Sequence, residues 1–239
     1  AARPYEPGRT AEVVGLQYEL LRSTGRESAA SALLRAWRAD QPAAPGPLLA
    51  LAQEAYLHED YVEIVRLVEP ISKSTDAKDI HYARLAKNML ALALAEVGGA
   101  RGEEAVKLAR QALDEAPEDN KKNIEDTLGW ALVRVGQLEE ARIYLDRELM
   151  IYGLATRAGV AELAYHRGVL LWSIGEEDRA RQVLALAAGL KPAVEPYTRR
   201  SRQILERGCL PEGLVPVLPP PLPEPPRQPL PSASPAAPR

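Results

Sequence analysis

Three histidines, one cysteine and several acidic pairs are the residues of this chain with obvious chemical potential. His58, His81 and His166 stand far apart. None forms an H-x-x-x-H pair with an acidic partner, the spacing that aims two imidazoles at one metal ion from a single helix face. They read as solvated or packing histidines. Cys209 has no histidine beside it to favour the thiolate and reads as an inert thiol. Gly98-Gly99-Ala100-Arg101-Gly102 is rich enough in glycine to suggest a phosphate cradle. It lacks the G-x-x-x-x-G-K-[ST] frame and falls between two helical patterns, so it reads as a loose turn. Glu103-Glu104 and Glu139-Glu140 open helices, where negative charge complements the helix dipole; they are structural rather than an acid/base pair. No catalytic, cofactor-binding or metal-binding residue is expected, and the chain reads as a non-enzyme.

The elements available to position any site are helices. The 239 residues are 46% hydrophobic, enough to bury a core, while aromatics total 5% with no phenylalanine, which argues against a β-sandwich. Formal net charge is −3. A general nucleic-acid binder needs a basic face to neutralise phosphates, so that class is set aside. A single cysteine rules out an internal disulfide and leaves the compartment open. The longest apolar runs, such as Met89 to Ala95, are too short to span a bilayer. No signal sequence is recognised, and Ala1 reads as a processed or cut end.

Residues 122–153 show the organising pattern. Leu128, Leu132 and Val135 recur three and four apart, Gly136-Gln137 makes a turn, and Leu138, Ala141, Leu145 and Leu149 resume the period. Gly129 is small where two helices must approach closely. The same pattern returns in the next repeat, around Gly168, Gly175 and Ala180. Repeat starts at 11, 45, 84, 122 and 161 give near-constant spacing, with insertions expected in the turns. The first hairpin turns at Gly25, the second at Glu59-Asp60, and the third at a longer loop holding Gly98, Gly99 and Gly102. Residues 1–10 read as a flexible lead-in with Thr10 as an N-cap. Tyr197 to Gly208 reads as an extra, more polar helix suited to capping the stack. Pro211 to Arg239 carries 12 of the 21 prolines, so residues 209–239 are expected to be a disordered proline-rich tail with PxxP spacings at Pro216–Pro219 and Pro223–Pro226.

The motif resembles the tetratricopeptide repeat (TPR). Leu128-Gly129, Leu132, Ala141 and Leu145 match its signature, as do Gly168, Leu171, Ala180, Leu184, Ala187 and Pro192. Glu125 and Ala164 depart from it where a Trp is favoured, and Ile64 stands for the usual Ala. The resemblance covers about residues 11–195. It implies an all-α, right-handed α-solenoid of about five helical hairpins with a C-terminal cap helix over residues 11–208. The stretches Asn88-Met89-Leu90-Ala91 and Asp126-Thr127-Leu128-Gly129-Trp130 further resemble bacterial TPR proteins of cell-envelope and exopolysaccharide-export systems, a likeness that favours the periplasm or envelope over the cytoplasm.

Matching the chain to that repeat places one face of each first helix on a concave groove. The groove residues are then Arg22; Gln53 and Tyr56; Asn88 and Leu92; Asp126, Trp130 and Arg134; and Tyr165, Val169 and Trp172. Trp, Tyr and Arg dominate interface energetics. The expectation is a scaffold that binds a protein or peptide segment, with no nucleic acid, no transmembrane segment and no cofactor. No Lys lines the groove, which argues against the carboxylate-clamping chaperone subclass. The other reading is a self-associating module whose tail recruits a partner.

Overall fold

A computed structural model describes residues 11–76, 80–118, 121–146 and 157–216. Eleven α-helices and one short 3-10 turn make up the described residues, without strands. They are α1 (Ala11–Ser23), α2 (Glu27–Asp40), α3 (Pro45–Leu57), α4 (Tyr61–Ser72), α5 (Ile80–Val97), α6 (Gly102–Glu115), α7 (Lys121–Arg134), α8 (Leu138–Leu145), α9 (Arg157–Ser173), α10 (Glu177–Ala188) and α11 (Tyr197–Arg207). No helix of the described residues is long and apolar enough to cross a membrane. The expected lead-in 1–10, the end of the fourth repeat at Leu149 and the tail from residue 217 onward lie outside the described residues.

The first ten helices pair as consecutive hairpins, and each odd helix also packs against the next odd one, from α1·α3 through α7·α9. Local chemistry sets the hairpins. Gly25, Glu59, Gly98, Gly136 and Gly175 all have positive φ. Each stands at the same offset from its repeat start (11 to 25, 45 to 59, 84 to 98, 122 to 136, 161 to 175). In four of the five turns two backbone bonds close the helix in the same way: at the fourth, Gly136 N–H donates to Val133 O and Gln137 N–H to Leu132 O. This termination requires a left-handed residue after the last turn, which glycine adopts without strain. The third turn differs, passing through the 3-10 turn Gly99–Arg101.

Close packing within hairpins follows from two glycines. A Cβ on Gly129 would lie 2.5 Å from Leu145 Cγ, and one on Gly168 would lie 2.5 Å from Leu184 Cγ. The two pairs have the same separation in sequence and occupy equivalent positions of consecutive repeats, so the contact is itself repeated. One core cluster runs from α3 to α11, while Val14, Tyr18, Leu21, Leu33, Leu34 and Trp37 form a smaller one within the first hairpin.

Two features depart from expectation at the C-terminal end. The polar helix α11 packs on α9 and α10, but its side chains also reach α3, α4 and α5, far earlier in the chain. The segment expected to start the tail is packed as far as Val215: Leu210, Leu214 and Val215 lie against the main core. Those three apolar side chains and a hydrogen bond from Arg134 to the Leu214 carbonyl hold it, where proline content alone suggested a loose chain.

Candidate functional site

Helix geometry gathers the candidate residues. Asn88, Leu92 and Glu96 lie four apart on α5, and Asp126, Trp130 and Arg134 four apart on α7, so each trio shares one face. Gln53 and Tyr56 on α3 and Glu162 and His166 on α9 project from the neighbouring odd helices. Gln53, Tyr56, Asn88, Leu92 and Asp126 line one cavity of about 320 Å³ together with Asn123 and Glu162. Two of its lining residues are acidic and none is basic.

At the inner wall Glu162 Oε1 accepts hydrogen bonds from Tyr197 Oη (2.7 Å) and Tyr56 Oη (2.9 Å), and the two hydroxyls also meet each other. One turn further along α9, His166 Nδ1 lies 2.9 Å from Asp126 Oδ2. The His166 ring stacks on Trp130, with centroids 4.4 Å apart and planes 12° apart. The side chains of His166 and Asp126 are 0% and 7% exposed. Burial pushes the Glu162 carboxyl above the usual range, and the negative charge of Asp126 adds to the effect. Burial pulls the His166 imidazole down, but the charge and hydrogen bond of Asp126 more than offset it, so protonation is favoured. Asp126 Oδ1, His166 Nε2 and Asn88 Oδ1 are buried without a hydrogen-bond partner. Such orphaned atoms each cost about 1–3 kcal/mol.

A second polar cluster lies where α11 crosses. Arg200 Nη1 donates to both carboxylate oxygens of Glu96 at 3.1 Å, and Nη2 to Glu59 Oε2 (2.8 Å) and Tyr61 Oη (3.2 Å). Trp130 Nε1 donates to Glu96 Oε1 at 3.2 Å. Burial would lower the pKa of the Arg200 guanidinium, but Glu96 outweighs it and holds the charge in place. Burial pushes the Tyr165 hydroxyl up to about 12.

These contacts redefine several groove candidates. Trp130, Tyr165 and Val169 are buried. They do share a wall, since the Trp130 and Tyr165 centroids are 5.6 Å apart. However, the wall is closed: from Asp126 to Val133 on α7 and from Ala164 to Leu171 on α9 every residue is buried, whereas α3 and α5 keep partly open faces. A helix in a row of hairpins normally keeps one face free, and here α11 packs on α9 and fills the space. Arg134 is also engaged. Its guanidinium donates to the α5 carbonyls of Ala95 (2.8 Å) and Glu96 (3.3 Å), as a cation at a helix C-terminus should, and to Leu214 O at 2.6 Å. Trp172 lies apart from this wall, half-buried under Arg181, whose Cζ is 4.7 Å from the ring centroid. Arg22 sits beside Tyr18, 5.9 Å from its ring, and 3.9 Å from Glu27.

Sequence reasoning passed over Glu59, Glu96, Glu162, Tyr197 and Arg200, and read His166 as a solvated or packing residue. One signal was available. Glu162 and His166 are i and i+4 on a helix, and Asp126 stands about one repeat before His166; a mixed acid–imidazole pair falls outside the spacing of paired histidines. The positions of Tyr197 and Arg200 had no such signal, because nothing local says where α11 lies. No family model matches this chain, and no match was found among the curated proteins.

Proposed function

We propose that this chain is a non-enzymatic scaffold of the TPR type that binds an extended segment of a protein partner along the open faces of α1, α3 and α5. The carrying observation is a continuous path. A cavity of about 700 Å³ over α1, α3 and α5 shares Gln53, Asn88 and Met89 with the 320 Å³ cavity over α3, α5, α7 and α9. The two cavities are lined by the side-chain amides of Gln53, Asn88 and Asn123 and by the apolar groups of Leu49, Leu85, Met89 and Leu92. Side-chain amides offer a donor and an acceptor to a peptide backbone, and the apolar groups offer pockets for alternate side chains. The repeated turn residues and the paired contacts at Gly129 and Gly168 support the TPR reading. The likeness to cell-envelope TPR proteins supports an envelope assembly as the setting.

A random peptide display selected on the purified chain tests the reading. Enriched peptides should bind at least tenfold more weakly to the Gln53→Ala/Asn88→Ala variant, with an unchanged melting temperature. No enrichment, or equal binding by the variant, overturns it. One observation favours self-association as a second reading: Leu16 and Leu20 expose most of their surface on one side of α1. Under that reading Leu16→Glu/Leu20→Glu converts a sedimenting dimer to a monomer, and a wild-type monomer ends it.

A further inference from the structure

We propose that Asp126, Glu162 and His166 together bind one first-row divalent transition cation of the zinc class at the inner end of the smaller cavity. The inference goes beyond the groove reading and does not depend on it. One donor atom from each residue lies within 4.8 Å of the other two. Donors held around 2.0–2.2 Å from a single ion stand about 3–3.5 Å apart. Asp126 Oδ2 and His166 Nδ1, hydrogen-bonded at 2.9 Å, lie just inside that spacing, and an ion bound between them takes the place of the shared proton. Glu162 and His166 present from one face of α9 and Asp126 from α7, so two packed helices fix the set and only the end of the Glu162 side chain need adjust.

The atoms left without partners point to a cation. Asp126 Oδ1 and Asn88 Oδ1 are buried, unsatisfied acceptors, and both residues line the cavity beside Glu162. No basic side chain lines the cavity. A divalent ion bound through Asp126 gives that carboxylate a positive partner that no cavity-lining side chain supplies. Donor chemistry selects the ion. An imidazole with two carboxylates suits Zn²⁺, Mn²⁺ or Fe²⁺, whereas Mg²⁺ and Ca²⁺ take oxygen donors, and no thiolate is present to favour a copper(I) site. The tyrosine hydroxyls on Glu162 orient that carboxylate, as hydrogen-bonded outer partners of metal ligands do, and the flat stack on Trp130 fixes the plane of the His166 ring. Three protein donors leave the remaining coordination positions open to the cavity.

The full chain, stripped with EDTA, is titrated calorimetrically with Zn²⁺ and separately with Mg²⁺. Cys209→Ser serves as the background, because that exposed thiol could bind zinc by itself. The expected result is one Zn²⁺ per chain, at least 100-fold tighter than Mg²⁺, with a raised melting temperature. Glu162→Gln and Asp126→Asn, each checked for unchanged circular dichroism, should weaken Zn²⁺ at least tenfold. Co²⁺ added to the stripped background protein should give visible bands that Zn²⁺ bleaches, a readout needing no variant beyond Cys209→Ser. Absence of stoichiometric Zn²⁺ binding in that background overturns the proposal. So does binding unchanged in both carboxylate variants, or a site filled equally well by Mg²⁺. An amine-bearing peptide that occupies the carboxylates while Zn²⁺ does not bind also overturns it, and assigns the wall to the groove's partner instead.

Discussion

Glu59 is the one non-glycine residue with positive φ (57°) among the described residues, at the turn position where the other four hairpins have glycine. A left-handed residue with a Cβ costs about 1–2 kcal/mol. In return its carboxylate holds Arg199 and Arg200 of α11. Glu59→Gly therefore removes strain and an anchor at once. Its melting temperature should stay within a few degrees of wild type, while amide exchange in α11 accelerates; unchanged exchange there would show that the anchor is idle. Gly129 tests packing directly. Gly129→Leu drives side-chain atoms into Leu145 and should cost roughly 1–3 kcal/mol in denaturant melts, with Leu145→Ala restoring part of the loss in the double variant. Asp146 gives the pH dependence. Burial raises its pKa, but hydrogen bonds from Arg167 and Arg179, both at 3.0 Å, more than reverse this and leave it below the ordinary carboxylate value. A depressed folded-state pKa contributes stability above the unfolded value, about 3.9, and that contribution is lost as pH falls through the folded one. Asp146→Asn should thus be less stable than wild type by about 1 kcal/mol at pH 7, with the gap closing below about pH 4. A gap constant with pH would assign the effect to shape rather than charge.

At the scale of elements, α11 is the piece that changes the site. Its buried residues Tyr197, Thr198, Ser201 and Ile204 recur at helical spacing, so one narrow stripe of small or large side chains, two of them polar, faces inward. Where that stripe docks is set by partners far away: Tyr197 meets Tyr56 and Glu162, and Arg200 joins the ends of α3 and α5. Arg200→Ala leaves Glu96, whose side chain is 5% exposed, without its main counter-charge. It should cost about 2–4 kcal/mol, and hydrogen exchange should show the loss concentrated in α11 and the last turn of α5. Loss confined to α11 alone would mean that Glu96 finds another partner. The binding consequence is specific. With α11 in place, Tyr165 lies under Tyr197 and Arg200 of that helix, and the path we propose lies over α1, α3 and α5.

For the whole molecule, the boundary of the packed body falls later than proline content suggests. Removing residues 209–239 should lower stability by about 1–2 kcal/mol more than removing 217–239, because only the first cut takes away Leu210, Leu214, Val215 and the Leu214 carbonyl that Arg134 binds. Equal melts for the two truncations would return the boundary to residue 208. What the sequence alone determined is the local part: helices from the 3.6-residue period, hairpin turns from Gly25, Gly98, Gly136 and Gly175, and intimate helix contacts from Gly129 and Gly168. These follow from backbone conformation and near-neighbour packing, which a linear pattern records. The tertiary structure decided what depends on distant approach. Groove candidate Tyr165 became interior as Tyr197 of α11 packed against it, Trp130 as Tyr165 and His166 of α9 closed over it, and His166 met Asp126 because α7 and α9 stack in register. Burial and charge pairing between residues one or more repeats apart depend on which elements come to lie together, and no spacing within one repeat carries that information.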